Sequence, residues 1–150
     1  MSLRQWSRRG WLVAHKTSPQ EISDLFRLVD RDLRDCRAKE LTPDWRLTIA
    51  YNAALQGAKE ALAASGYRAS REAQHVRIIG SLEFTVGMES ADVQQLDMFR
   101  RKRNVSGYER SGQISQIEAE EMAELAQRVR GLVLDWLDSN HPQLLALYKP

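Results

Sequence analysis

Helix-start signals followed by apolar stripes recur along this chain, and they constrain its fold more than any other feature. The signals begin at Ser18, Thr42 and Ser115, each of which is a residue type favoured at helix N-caps. Proline follows the first two directly, at the first helical position, and glutamate stands three residues after the first and third, as in a capping box. Apolar residues then recur three and four positions apart, which predicts helices that each bury one face.

Two more helices are predicted between these signals. Ser70 is expected to cap the third helix, which closes at Gly87, and the fourth runs from about Ser90 into a basic segment. The residues expected to face inward on the third helix are Val76, Ile79, Leu82 and Val86. The second helix is rich in alanine, which allows neighbouring backbones to approach closely, and Gly66 is its expected left-handed cap.

Together these elements predict one all-α domain. The chain has 150 residues, a usual size for a single domain, and it shows no period-two alternation, hairpin dipeptide or internal repeat. We expect an antiparallel four-to-five-helix bundle over residues 18–142. A short N-terminal helical arm over residues 1–17, anchored by Trp6 and Trp11, would precede it, and a tail over residues 143–150 would follow.

Cysteine content and hydropathy indicate the compartment. Cys36 is the single cysteine, so no intramolecular disulfide can form, and its apolar helix face predicts a buried structural thiol. The apolar runs are too short for a signal peptide or for the roughly 20 residues of a transmembrane helix. We therefore expect a cytoplasmic protein that has no membrane partner.

The net charge of +2 conceals two basic islands. Residues 1–16 carry a local charge of +4, and residues 100–110 carry another +4, so the remainder of the chain sums to −6. Islands of this size suit a phosphate-bearing partner better than indiscriminate polyanion binding. The alternative is that each basic run is simply a solvated helix face.

The residue types of common catalytic centres are not arranged into their usual motifs. His15, His75 and His141 are scattered, and none has a partner at the helical spacing that would complete a metal site, so no metal is expected. The glycines form neither a dinucleotide-binding nor a phosphate-loop pattern, so no cofactor is expected.

The basic segment near position 100 is the most informative part of the chain. On a helix, Arg100, Arg103 and Asn104 share one face because they lie three and four residues apart, and Tyr108 joins them if the helix continues. This face borders the apolar stripe that contains Phe99. Two interpretations stay open: a site that meets a phosphate, or an arginine paired with a nearby glutamate beside a tyrosine that closes the core.

The pattern Arg103-Asn104-x-x-x-Tyr108, after a basic helix end and before the long last helix, resembles the signature of HEPN domains (higher eukaryotes and prokaryotes nucleotide-binding). That signature is Arg-x4–6-His, in which asparagine often follows the arginine. The alanine-rich segment 47–62, followed by Gly66 and Tyr67, is similar to the alanine-rich helix of the family. The resemblance covers about residues 20–140 and implies a bundle of four to five helices.

The resemblance also implies a function. Many HEPN proteins are metal-independent ribonucleases, often toxins of toxin–antitoxin systems, and they dimerise so that two motifs face a shared cleft. Carried over, Arg103 would bind the scissile phosphate, Asn104 would position it, and Tyr108 would occupy the place of the catalytic histidine. The cations expected to attract the RNA backbone are Arg100, Arg101, Lys102 and Arg110.

The chain departs from the family at that histidine. Tyrosine, with a pKa near 10, is a poor general base at neutral pH, although it can donate a proton or a hydrogen bond. His75 is able to contribute from the third helix or to form only a local hydrogen bond. Two functions stay open: a homodimer that binds RNA or a nucleotide and cleaves RNA, and a non-catalytic accessory or antitoxin partner, for example of a nucleotidyltransferase. A purely structural helical protein is the third possibility.

Overall fold

The computed structural model describes residues 1–104 and 113–149, and these residues are mainly helical, as predicted. The helices are α1 (Leu3–Arg8), α2 (Pro19–Asp35), α3 (Pro43–Ala64), α4 (Gln74–Gly80), α5 (Ser90–Asn104) and α6 (Gln116–Asn140), with short 3-10 helices at Ser81–Glu83 and Pro142–Leu145. Two strands, β1 (Leu12–Ala14) and β2 (Tyr67–Ala69), complete the described elements. Among the described helices, none combines the length and the apolar composition needed to cross a bilayer.

The predicted helix starts at Ser18, Thr42 and Ser115 are confirmed. Each side-chain oxygen accepts a hydrogen bond from the backbone N–H three residues later and so satisfies one donor that the first helical turn leaves unpaired. Of these three helices, α6 alone completes the reciprocal capping box, in which the Glu118 side chain accepts from the Ser115 N–H. In α2 the side chain of Glu21 turns to His15 and Thr17 instead.

The predicted start of the third helix is wrong. The Ser70 hydroxyl donates a hydrogen bond to the Trp11 carbonyl at 3.1 Å, so it does not cap a helix. Helix α4 begins instead after Ala73, which has a left-handed backbone and makes no capping bond, and α4 ends at Gly80 rather than at Gly87. Consequently Val76, which we expected to face inward, is 38% exposed.

Helix α3 packs against α2, α5 and α6 and forms the centre of the fold. Most of its surface is buried, and its small residues allow this: the buried alanines are Ala50, Ala53, Ala54, Ala58, Ala61 and Ala63. At Gly57 a Cβ would lie 3.1 Å from Cγ1 of Val129 on α6, so a glycine is what permits this approach of the two helices. The alanine-rich composition therefore serves close packing, as the sequence indicates.

A two-stranded antiparallel sheet joins the chain near its start to the segment after α3. Leu12 pairs with Ala69 and Ala14 with Tyr67, and the preceding turn uses Gly66 at φ +96°. Each strand has three residues, too few for an alternating pattern to be recognised in the sequence. This sheet is therefore an element that the sequence analysis did not predict.

The N-terminal segment is anchored by tryptophan packing. Trp6 of α1 is buried, and it makes edge contacts with Trp11 and Phe84, with ring centroids 5.6 and 5.2 Å apart. Its ring also covers Gly80, where a Cβ would lie 3.1 Å from the indole. This packing holds α1 and β1 against α4, and α4 in turn carries His75.

Candidate functional site

The end of α5 presents the predicted basic residues because the opposite side of the helix is fixed in the core. Val93, Leu96 and Phe99 are buried, and the arginines at 100 and 103 follow on the border of that buried face. Arg100 is accordingly largely covered, with only 18% of its side chain exposed. The α5 position of the predicted site is thus set by ordinary amphipathic packing.

Acidic side chains neutralise part of the basic run. Asp97 accepts from Arg100 Nε at 2.8 Å through Oδ1, and Arg101 Nε lies 3.5 Å from its Oδ2. Lys102 forms an ion pair with Glu118, the residue that also completes the capping box of α6. These three cations, which we predicted to attract RNA, are therefore partly committed to acids within the chain.

Arg103 lies against an aromatic side chain from the centre of the fold. Its guanidinium carbon is 5.2 Å from the centroid of the Tyr51 ring on α3, within the range of a cation–π interaction. The Asn104 side-chain oxygen is 3.5 Å from Arg103 Nη1, and Asn104 itself is exposed. Arg103 and Asn104 are thus neighbours at the predicted site, and Tyr51 is a third member that the sequence did not reveal.

Tyr51 connects Arg103 to a histidine. Its hydroxyl lies 3.2 Å from Nδ1 of His75, which projects from the start of α4. The Tyr51 ring is fully buried, and this burial outweighs the charges of Arg103 and Arg100, so the pKa of Tyr51 is raised to about 12. The phenol is therefore neutral at physiological pH and can accept a hydrogen bond from Nδ1–H.

The electrostatic surroundings keep His75 uncharged. Burial lowers the pKa of His75 below its usual value, and the positive charges of Arg103, Arg100 and Lys59 lower it further. A neutral imidazole whose Nδ1–H is bound by Tyr51 has its lone pair on Nε2, which is the form that accepts a proton. In the part of the chain that the structure describes, no hydrogen bond engages Nε2.

This arrangement places an arginine and a histidine in contact with the same buried tyrosine. An arginine guanidinium can donate two parallel hydrogen bonds to a phosphate, and a neutral histidine is a suitable general base near neutral pH. Tyr51 would act as a positioning residue, since its hydroxyl contacts the ring of His75 and its ring contacts the guanidinium of Arg103. The three side chains come from α3, α4 and α5.

Two of the predicted site residues, Tyr108 and Arg110, lie outside the described residues, so their predicted roles stay predictions. Sequence reasoning named His75 only as a weak candidate and missed Tyr51. A polar aromatic residue within an alanine-rich buried helix is a signal that could have drawn attention to Tyr51, because a buried tyrosine hydroxyl needs a hydrogen-bond partner.

Within residues 1–104 and 113–149, no three side chains of the metal-binding types lie close enough to hold a metal ion. Comparison with protein-family models, with curated proteins and with solved structures found no match to this chain. The geometry of the site is therefore the basis for a function.

Proposed function

We propose that this chain is a HEPN-like helical bundle of the cytoplasm that binds RNA at Arg103 and cleaves it without a metal. The observation that carries the proposal is the chain of contacts from Arg103 over the Tyr51 ring to Nδ1 of His75. It supplies the neutral imidazole that the resemblance requires and that Tyr108 does not provide.

Each residue has a role in the proposed reaction. Arg103 binds the non-bridging oxygens of the scissile phosphate, and Asn104 helps to position them. His75 Nε2 takes the proton of the 2′-hydroxyl as its oxygen attacks phosphorus. The new bond to the 2′-oxygen forms while the bond to the 5′-oxygen breaks, which leaves a 2′,3′-cyclic phosphate. The departing 5′-oxygen takes a proton, and we assign that donation to Tyr108, whose hydroxyl can donate one.

The exposed cations at the end of α5 would attract the RNA backbone. Arg101 is 67% exposed, and a surface ion pair such as that of Arg101 with Asp97 contributes at most about 1 kcal/mol, so a phosphate can compete for it. The resemblance further implies a homodimer, in which two such sites face one cleft and bind a single strand.

Incubation of the protein with single-stranded RNA in EDTA, followed by analysis of the RNA ends, tests this proposal. We expect 2′,3′-cyclic phosphate ends, with a rate that rises with pH through a midpoint below 6.5 because the pKa of His75 is lowered. His75→Gln and Arg103→Ala should each abolish cleavage, and Tyr108→Phe should reduce it. Arg103→Ala should also weaken RNA binding about tenfold or more, the usual cost of losing charge-assisted hydrogen bonds.

Arg27→Ala is a matched control. Arg27 is an exposed arginine on α2, so this variant makes the same charge change away from the site and should leave binding and cleavage unchanged. RNA binding that is equally strong in Arg103→Ala and in the wild type, at several salt concentrations, would contradict the assignment of the site.

Binding without cleavage is the second candidate function, in which the chain is an accessory or antitoxin partner. The pairing of Arg100, Arg101 and Lys102 with acids favours it, because these cations are then already in part neutralised. RNA that binds in a salt-dependent and Arg103-dependent manner, yet stays intact, would select this candidate over the ribonuclease.

A further inference from the structure

A cavity of about 260 Å³ lies beside the proposed site, between α2, α3, α4 and the two-stranded sheet. Its walls include the apolar side chains of Leu25, Leu62 and Ile78 and the ring of Tyr67. Typical small-molecule sites have volumes of roughly 300–1,000 Å³, so this cavity suits one planar ring system rather than a larger ligand. Apolar walls with an aromatic side chain are the surroundings in which proteins hold an unstacked nucleobase.

The carboxylate of Glu21, on the wall of the cavity, has lone pairs that accept no hydrogen bond from the described residues. Glu21 Oε1 accepts from Thr17 Oγ1 at 2.6 Å and lies 2.8 Å from His15 Nε2, and no other described residue bonds this carboxylate. A carboxylate has about four lone-pair sites, so the two on Oε2 stay available. Burial raises the pKa of Glu21, but the hydrogen bonds from Thr17 and His15 outweigh burial and leave it lowered, so the group is ionised at neutral pH.

The charge around the cavity suits a ligand that carries phosphate. Lys59 and Arg68 line it, and both are exposed. Lys59 lowers the pKa of both Glu21 and His75, so its ammonium group lies within electrostatic reach of the cavity and of the proposed catalytic base.

The chain itself links the cavity to the site. Gln74 lines the cavity, and the next residue, His75, bonds Tyr51 in the proposed site. Consecutive Cα atoms are about 3.8 Å apart, so the backbone of His75 adjoins the α4 wall of the cavity.

We propose that this cavity binds the base of one RNA nucleotide and that Glu21 selects guanine. Guanine presents two adjacent N–H donors, at N1 and N2, which can both approach Glu21 Oε2 in a bifurcated hydrogen bond, whereas uracil presents one at N3. Adenine and cytosine each place a ring-nitrogen acceptor beside their amino group, and that acceptor is repelled by a carboxylate. This inference rests on the proposed function, because Arg103 and the cations would hold the strand while the cavity reads one base.

Fluorescence anisotropy with labelled RNA tests the inference. The probes are a ten-residue oligouridine, the same strand with one central guanosine, and the same strand with one central adenosine. We expect the guanosine strand to bind the wild type about tenfold or more tightly than the other two. Glu21→Gln, which is close in size, should remove this preference, so that the three strands bind with about equal affinity.

Two further variants distinguish a base pocket from a structural effect. Ala63→Leu should fill the cavity and remove the guanosine preference with Glu21 intact. Thr17→Val removes one bond to the same carboxylate without changing the acceptor that faces the base, so the preference should persist. Circular dichroism melting curves verify that each variant is folded.

The outcomes separate this inference from the function on which it rests. Binding of all three strands that depends on Arg103 but shows no preference for guanosine, or a preference that survives both Glu21→Gln and Ala63→Leu, would overturn the base pocket and leave the proposed function standing. Absence of RNA binding would overturn both. Guanosine monophosphate that binds as tightly as the guanosine strand would identify a free nucleotide as the ligand of the same pocket.

Discussion

Glu60, in the middle of α3, is a carboxyl group enclosed by the fold. Its side chain is fully buried, and neither oxygen has a hydrogen-bond partner among the described residues. Burial and, to a lesser extent, the charge of Asp30 outweigh the opposing charge of Arg130 and raise the pKa of Glu60 to about 10. The carboxyl group is therefore protonated in the folded protein at neutral pH, although it ionises in the unfolded chain.

This difference predicts a pH-dependent stability that Glu60→Gln removes. Because the pKa is raised on folding, the stability that Glu60 contributes is fully present below about pH 4.5 and is lost as the pH rises toward about 10. Between these pH values, one such group changes the free energy of unfolding by about 1.4 kcal/mol per pH unit. Urea denaturation of both proteins between pH 5 and pH 9 should therefore show Glu60→Gln gaining stability relative to the wild type as the pH rises.

An exposed glutamate on another helix provides the control. Glu124→Gln on α6 should leave the difference from the wild type nearly constant with pH, since that side chain is exposed. A constant difference for Glu60→Gln as well would show that Glu60 is ionised within the fold.

The sequence does not indicate that Glu60 is buried, because an alanine-rich helix shows no clear polar face on which to place it.

At the scale of elements, the packing of α3 against α6 depends on small residues at particular positions. Gly57→Leu would place a large side chain where even a Cβ lies 3.1 Å from Val129, so we expect a loss of about 1–3 kcal/mol in the free energy of unfolding. Gly131→Ala on α6 is the contrasting change, because a Cβ there meets no atom within 4 Å. It should stabilise the protein by about 0.5–1 kcal/mol through helix propensity.

Thermal or urea unfolding of the two variants measures both effects. Equal destabilisation by both would mean that the helix interface is not where the structure places it.

Helix starts were predictable because capping acts over three residues, and α2, α3 and α6 begin where the sequence indicates. The start of α4 was not, because Ser70 bonds the carbonyl of Trp11, which is distant in sequence.

At the scale of the whole molecule, the segment after α6 packs against α2 and α6 through Tyr148. The Tyr148 ring stacks on Phe26 with centroids 4.3 Å apart, and its hydroxyl donates to Asp30 at 2.5 Å and accepts from Arg130 at 2.7 Å. Arg130 also donates to Asp30 at 2.6 Å, which closes a three-member network between α2, α6 and this segment. The network is a long-range contact that no local pattern encodes.

Two substitutions at Tyr148 separate its polar and apolar contributions. Tyr148→Phe keeps the stack and removes two hydrogen bonds to charged groups, so we expect a loss of about 1.5–3 kcal/mol in unfolding free energy. Tyr148→Ala removes the stack as well and should cost about 3–5 kcal/mol. Chemical denaturation measures both, and a Phe variant as stable as the wild type would show that the network contributes no net stability.

The fold also places acidic side chains next to the basic residues at the end of α5. The sequence shows a basic island at the end of α5, but the fold supplies acids to it: Asp97 from the same helix and Glu118 from the start of α6. The pair within α5 follows from helical spacing and was predictable. The pair with Glu118 depends on how two helices meet, and it was not.

By itself, the sequence determined the helical class, the starts of most helices, most of the buried faces and the place of the basic run, because each depends on neighbours within a turn of helix. The tertiary structure alone decided that Tyr51 contacts both Arg103 and His75, since the three come from three helices whose contact is set by long-range packing around α3. It likewise decided that a short sheet forms and that a cavity opens beside Gln74. Local signals fix the elements, and the burial of their shared apolar surface brings the chemically useful side chains together.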